Sequence, residues 1–291
     1  MTLAGDTTVP RILVIDGNRA ATREKQMAAG GQASGEGYVR VLEELAAVDC
    51  DIVRPADGAV SLPVGVGLAD YDGVAMTGSA LNVYDSGPHV ERQIELVRAV
   101  FASEVPFFGS CWGLQVAVTA AGGRVRRNPL GREFGFGRRI TLNAAGLGHP
   151  LYTDKPPVFE AITVHLDCIE QVPDGAVVLA SNEMGVQAMA LRDGRSAAWG
   201  VQYHPEYSYA EIAATALRYG DTLLDEGLFA TPAERALFVA EMRLLMHNPR
   251  DHRLTWKHGL GPAMRDPRLK LAELRNWLQR VVEPRCRERD R

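Results

Sequence analysis

The chain has 291 residues, 46% hydrophobic and 23% charged, with a formal net charge of −4. That balance suits a folded globular protein and leaves no global field to recruit nucleic acid or an anionic membrane. The four cysteines, Cys50, Cys111, Cys168 and Cys286, are scattered without a Cys-x-x-Cys pair, which argues against a disulfide framework or structural zinc and fits a reducing cytoplasm.

From the N-terminus, residues 1–8 have neither a basic start nor a long apolar core, so they do not read as a signal peptide, and no later segment is apolar enough to span a bilayer. Residues 11–16 read as the first buried strand of a parallel sheet, ending in Asp16-Gly17-Asn18. The segment that follows Asn18, through residues 30–35, reads as a glycine-rich loop. It lacks the Gly-x-Gly-x-x-Gly spacing and the Lys-Ser/Thr end of a phosphate site. A helix is predicted over 37–48, with Val41, Leu42 and Leu45 on one face, then strands over 51–53 and 73–76. This alternation predicts an α/β fold with helices on both faces of the sheet. Ligands of such a fold collect beyond the carboxyl ends of the strands, where Thr77-Gly78-Ser79 falls. A helix within 87–105 carries Val90, Ile94, Val97 and Phe101 as a core stripe. His89, at its start, reads as a capping or solvated histidine, without a partner at metal-ligand spacing.

Next, the apolar run from Pro106 ends in Gly109-Ser110-Cys111-Trp112-Gly113, and a helical pattern follows until Gly122-Gly123. The reading is strand, sharp turn and helix, with Cys111 where free N–H groups and the macrodipole favour a thiolate. The competing reading is a buried, inert cysteine. Six arginines within 124–139 (Arg124, Arg126, Arg127, Arg132, Arg138 and Arg139) read as a solvated hairpin edge running into a strand at 140–142, with a subunit-contact surface as the alternative. His165, in Val164-His165-Leu166-Asp167, is a rival base, but with an aspartate rather than a glutamate two residues on. Strands are predicted over 177–181 and 186–190, and Asp193-Gly194 turns the chain into a strand ending at Tyr203-His204-Pro205-Glu206. Pro205 biases His204 toward extended geometry, where residues i and i+2 share a side. Glu206 can then orient the His204 imidazole, completing a nucleophile, a base and an orienting acid.

Gly109-x-Cys111-x-Gly113-x-Gln115 together with His204-Pro205-Glu206 resembles the signature of the class I, triad-type glutamine amidotransferases. Residues 71–79 are similar to that family's strand and oxyanion loop, and Val83-Tyr84-Asp85 to the segment after it, so the resemblance covers residues 10–206 or thereabouts. It implies a mostly parallel, flavodoxin-like glutaminase fold and catalysis by Cys111, His204 and Glu206, with no metal or organic cofactor. It also implies an oxyanion hole from the N–H groups of Gly78 and Trp112, a substrate-holding role for Gln115, and His165 at the border of the substrate site. Three plainer readings stay open: Gly78 only turns the chain, Gln115 is a helix-core amide, and His165 is structural. Ser79-Ala80 departs from the glycine and proline that many relatives carry there.

Beyond Glu206, Ser208 to Glu211 and Thr231-Pro232-Ala233-Glu234 fit capping boxes. Phe238, Met242 and Leu245 mark one helix face. A last helix from Asp266-Pro267 carries Leu271, Leu274, Leu278 and Val281, and residues 285–291 read as frayed. The family core ends soon after the His-Pro-Glu helix. The chain therefore divides into a glutaminase domain, 1–225, and a helical C-terminal extension, 226–291, which either covers the sheet or forms a homo-oligomer or partner surface. The function the resemblance implies is hydrolysis of the glutamine γ-carboxamide through a γ-glutamyl thioester. No ATP-binding synthetase domain is visible, so the released ammonia would pass to a separate synthetase partner. The alternative is a stand-alone hydrolase of γ-glutamyl amides or peptides. A non-catalytic regulatory relative would be expected to lack a triad residue, and all three are present.

Overall fold

Strand β1 (Arg11–Ile15) sets the plan of the molecule. Ile12 and Val14 face one side and Leu13 and Ile15 the other, and all four are fully buried. A strand buried on both faces needs cover on both, the condition that produces a helix–sheet–helix sandwich. The computed structural model describes residues 9–289. The stretch read above as lacking a signal peptide, residues 1–8, lies outside the described residues, as do residues 290 and 291.

The strands that follow are β2 (Asp49–Val53), β3 (Gly73–Met76), β4 (Phe107–Ser110), β5 (Arg124–Arg127), β6 (Gly135–Leu142), β7 (Val158–Thr163), β8 (Asp167–Gln171), β9 (Val177–Asn182), β10 (Gly185–Arg192) and β11 (Ala198–Val201). Nine of them form one sheet in the order β2-β1-β3-β4-β11-β10-β9-β6-β7, while β5 and β8 pair separately. From β2 to β11 neighbours are parallel, and from β11 onward they are antiparallel. The register of β11 on β4 pairs Gly200 with Gly109 and Val201 with Ser110. The two strands therefore reach the carboxyl edge together, and the residues just beyond them meet.

Helices α1 (Ala20–Ala28), α2 (Ser34–Leu45), α3 (Pro88–Ala102), α4 (Trp112–Ala120), α5 (Ala144–Gly148) and α6 (Tyr209–Tyr219) follow the strands. Then come α7 (Thr222–Asp225), α8 (Pro232–His247), α9 (His252–Lys257), α10 (Pro262–Arg265), α11 (Pro267–Lys270), α12 (Ala272–Trp277) and α13 (Glu283–Arg289). Helices α3 and α4 cover the face holding Leu13 and Ile15. On the opposite face α2 shares its core with Ala263, Leu274, Trp277 and Val282 of the C-terminal helices. Ser208 and Thr231 cap α6 and α8, each accepting from the backbone N–H three residues on.

Four expectations are corrected. The first is α1, which stands in a stretch read as loop. Its inward residues are Arg23 and Gln26 rather than an apolar stripe, so hydrophobic periodicity could not reveal it. The single last helix is instead the run α11, α12, a π-helical turn over Leu278–Val282, and α13. Residues 285–289 are docked rather than frayed. Arg285 donates to the carbonyls of Tyr71 (3.3 Å) and Glu104 (3.1 Å), and Arg289 pairs with Asp72 at 3.0 Å. Finally, the arginine-rich segment is only partly a solvated edge: Arg124 and Arg126 face Glu170, but Arg132 turns inward to Glu226 at 2.6 Å. Among the described residues no helix is long and apolar enough to cross a membrane.

Candidate active site

Cys111 sits between β4 and α4 with φ 50° and ψ −101°, a left-handed conformation unusual for a residue with a side chain. The turn holds because its surroundings over-determine it. The Cys111 N–H donates to Val201 O at 2.7 Å, and its carbonyl accepts from Gln115 N–H at 3.1 Å. A Cβ on Gly109 would overlap the backbone of Gly113, and one on Gly113 would lie 2.6 Å from Met76 O. Both glycines are therefore needed for β3, β4 and α4 to approach this closely.

His204 enters from the end of β11. Its backbone N–H donates to Ile162 O at 2.8 Å, and its ring stacks on Tyr207 with centroids 4.0 Å apart. Nδ1 meets Glu206 Oε1 at 2.7 Å, and the Cys111 side chain lies close enough to act on the charge of the ring. Burial alone would discharge this imidazole. The Glu206 carboxylate and the Cys111 side chain outweigh that effect and push its pKa up to about 10. Glu206 Oε2 is buried with no hydrogen-bond partner among the described residues. The three residues singled out from the sequence are thus brought together: Glu206 holds the His204 ring, and His204 and Cys111 line one cavity.

Gly78 lies against the same ring, since a Cβ there would overlap His204 Cε1. Its carbonyl accepts from Asn18 Nδ2 at 3.1 Å and from the Thr77 hydroxyl at 2.9 Å. The N–H groups of Gly78 and Trp112 have no acceptor among the described residues. Trp112 is fully buried and donates from its indole to Gln93 at 2.7 Å. Gln115 is buried beside Cys111 and donates to Gln202 Oε1 at 3.2 Å. His165 borders the same cavity, but both ring nitrogens are engaged: Nδ1 with Asp167 O at 2.9 Å and Nε2 with Glu133 at 2.8 Å.

The cavity over Cys111 and His204 has a volume of about 180 Å³. That is below the ~300–1,000 Å³ of drug-sized sites and suits a substrate near the size of an amino acid. Its wall includes Asn18, Arg132, Asp167, Arg218 and Tyr219, which the sequence reading did not select. Asn18 had one signal, its place just past β1 at the carboxyl edge. Arg218 had none, because only the packing of α6 brings it there. A neighbouring cavity of about 260 Å³ is lined by Gly78, Glu206, Tyr207 and Lys270 and does not touch Cys111. No cluster of His, Cys, Asp or Glu suited to a metal ion occurs among the described residues.

Residues 36–219 match the family model described as Glutamine amidotransferase class-I. The chain belongs to the class-I glutamine amidotransferase family. It is accordingly a hydrolytic enzyme with an α/β fold. It is 33% identical over 287 residues to a protein from a Pseudomonas species named gamma-glutamyl-L-1-hydroxyisopropylamide hydrolase, covering 96% of this chain and 95% of that relative. It is 30% identical over 161 residues to the glutamine-hydrolysing GMP synthase of Streptomyces avermitilis, covering 55% of this chain but only 28% of that synthase. Among solved structures it superposes on a glutamine amidotransferase from Thermotoga maritima with a TM-score of 0.64 at 18% identity, covering 95% of this chain and 99% of that one. A second glutamine amidotransferase, from Methylobacillus flagellatus, gives 0.58 at 20% identity, covering 97% and 95%. At these identities the structures show the shared fold. The family match ends before the C-terminal helices, whereas the similarity to the Pseudomonas hydrolase extends over nearly the whole chain.

Proposed function

We propose that this amidotransferase-family enzyme hydrolyses the γ-amide of a γ-glutamyl amine, with Cys111 as nucleophile, His204 as acid and base, and Glu206 as the group that orients His204. The observation that carries this reading is the His204 ring, bonded to Glu206 and lining one small cavity together with Cys111. The Cys111 thiolate attacks the γ-carbonyl carbon while His204 holds the proton. Charge develops on the carbonyl oxygen, and the free N–H groups of Gly78 and Trp112 are the donors suited to receive it. The tetrahedral intermediate collapses, the C–N bond breaks, and His204 gives its proton to the leaving amine. Neutral His204 then takes a proton from water, the hydroxyl adds to the γ-glutamyl thioester, and the C–S bond breaks to release glutamate and restore the thiolate. Gln115 and His165 act at the substrate side of this site, His165 by holding the Asp167 segment in place. Four free thiols suit a reducing, cytoplasmic setting.

Similarity along the full length to a γ-glutamyl amide hydrolase favours a substituted amide as substrate. The second reading, glutamine hydrolysis with ammonia passed to a separate synthetase, is supported by the likeness to GMP synthases over about half of this chain. Purified protein assayed alone with glutamine and with γ-glutamyl alkylamides separates the two. Fast release of the larger amine is expected, and fast glutamine turnover only after a synthetase is added would overturn it. Cys111→Ala should remove turnover of either substrate, and near-wild-type activity in that variant would end both readings.

A further inference from the structure

The charged groups around the cavity are almost all accounted for. Arg132 forms a two-pronged pair with Glu226, at 2.6 and 3.0 Å. His165 is bonded to Glu133 and His204 to Glu206. Asp167 accepts from the Tyr84 hydroxyl at 2.9 Å. Arg218 differs: no carboxylate lies within ion-pairing distance of it among the described residues. Its Nε donates to Gln26 Oε1 at 2.8 Å, and its guanidinium lies 4.5 Å from the centre of the Tyr219 ring. Its two terminal nitrogens donate to no protein group among the described residues. Gln26 is buried on α1 and is itself held by Glu211 and Thr215. Arg218 is thus held by a neutral amide and braced by a ring, its terminal N–H donors are unspent on protein among the described residues, and it lines the cavity that also holds Cys111.

A fixed guanidinium with a free fork matches a carboxylate. The γ-glutamyl group carries one such anion, its α-carboxylate. We propose that Arg218 reads the α-carboxylate of the γ-glutamyl moiety and thereby restricts the enzyme to substrates in which that carboxylate is free. This rests on the γ-glutamyl reading above and adds the residue that enforces it. The amine side then tolerates variety, while glutamine side chains inside a peptide, whose α-carboxyl is an amide, are rejected. Arg218 is a specificity residue, acting on binding rather than on bond making.

The test compares γ-glutamyl ethylamide with 4-aminobutanoyl ethylamide, which differs only by lacking the carboxylate. Wild type should prefer the first by about 10- to 100-fold in kcat/KM, the range of a charge-assisted pair. Arg218→Met should erase that preference mainly by raising KM, leave the second substrate within about twofold, and be partly rescued by Arg218→Lys. Equal losses on both substrates, or an unchanged preference, would overturn the proposal. Calorimetric binding of L-glutamate and 4-aminobutyrate to Cys111→Ala and to Cys111→Ala/Arg218→Met gives the same comparison without turnover. If wild type hydrolyses neither amide, the proposed reaction fails, while selective loss of glutamate affinity in the double variant still upholds Arg218, and unchanged affinity refutes it.

Discussion

His204 and Cys111 show how a residue's surroundings set its chemistry. Catalysis as proposed needs His204 protonated when the amine leaves. Its pKa is pushed up to about 10 against the effect of burial, chiefly by the Glu206 carboxylate 2.7 Å away. Activity should therefore persist into alkaline solution and fall as pH passes through that value. Glu206→Gln keeps the shape and a hydrogen bond but removes the charge, so the alkaline limb of kcat/KM should move to lower pH. A limb that stays put would show that Glu206 does not set the protonation of His204. Stability follows the same sign: the pairing contributes fully below the unfolded value of 6.5 and is lost as pH rises toward about 10. The placement of Cys111, His204 and Glu206 was legible in the sequence because each stands at or just past the end of a strand, and chain-local rules govern that: flanking glycines for Cys111, Pro205 for the spacing of His204 and Glu206. Arg218 was not legible, since the cavity receives it from α6, an element remote along the chain. No local pattern encodes such a meeting.

At the scale of elements, α12 is fastened to the strand that carries His204. Glu273 is fully buried and accepts from Tyr203 OH at 2.6 Å, and Lys155 pairs with it at 2.9 Å. Tyr152 OH extends the network to Tyr203 OH at 2.9 Å. On α11, Lys270 donates to Pro205 O at 2.7 Å, between His204 and Glu206 in the chain; burial lowers its pKa to about 8 despite the nearby Glu206. A buried ion pair is costly to break from one side, because the survivor is left charged and unsolvated. Glu273→Leu should destabilise the protein by about 3–5 kcal/mol in urea unfolding, and Lys155→Met/Glu273→Leu should recover most of that loss. If the double variant is as unstable as the single one, the Tyr203 bond rather than the ion pair carries the effect. This network was not legible beforehand, for the same reason that α1 was not: its inward residues are polar, and polar residues read as surface until their partners are known.

Across the whole molecule, packing runs over residue 225, where the sequence reading divides a glutaminase domain from a C-terminal extension. Trp277, Leu274 and Val282 are buried in the same cluster as Ile12, Ala75 and Phe108 of the central strands. A Cβ on Gly73 would lie 2.9 Å from both Trp277 and Val282, so the last helices rest directly on β3. Burying a side chain the size of tryptophan, leucine or valine contributes about 1.5–3 kcal/mol each. Loss of three such residues therefore rivals the ~5–15 kcal/mol that holds a typical domain together. A chain ending at residue 225 would also expose the sheet face beneath them and strip Tyr203 of Glu273. It should accordingly be insoluble, or bind a hydrophobic dye and lack a cooperative thermal transition. A soluble 1–225 fragment with a sharp melt and native-like hydrolysis would show instead that the C-terminal helices are an accessory layer, and that the first 225 residues close their own core.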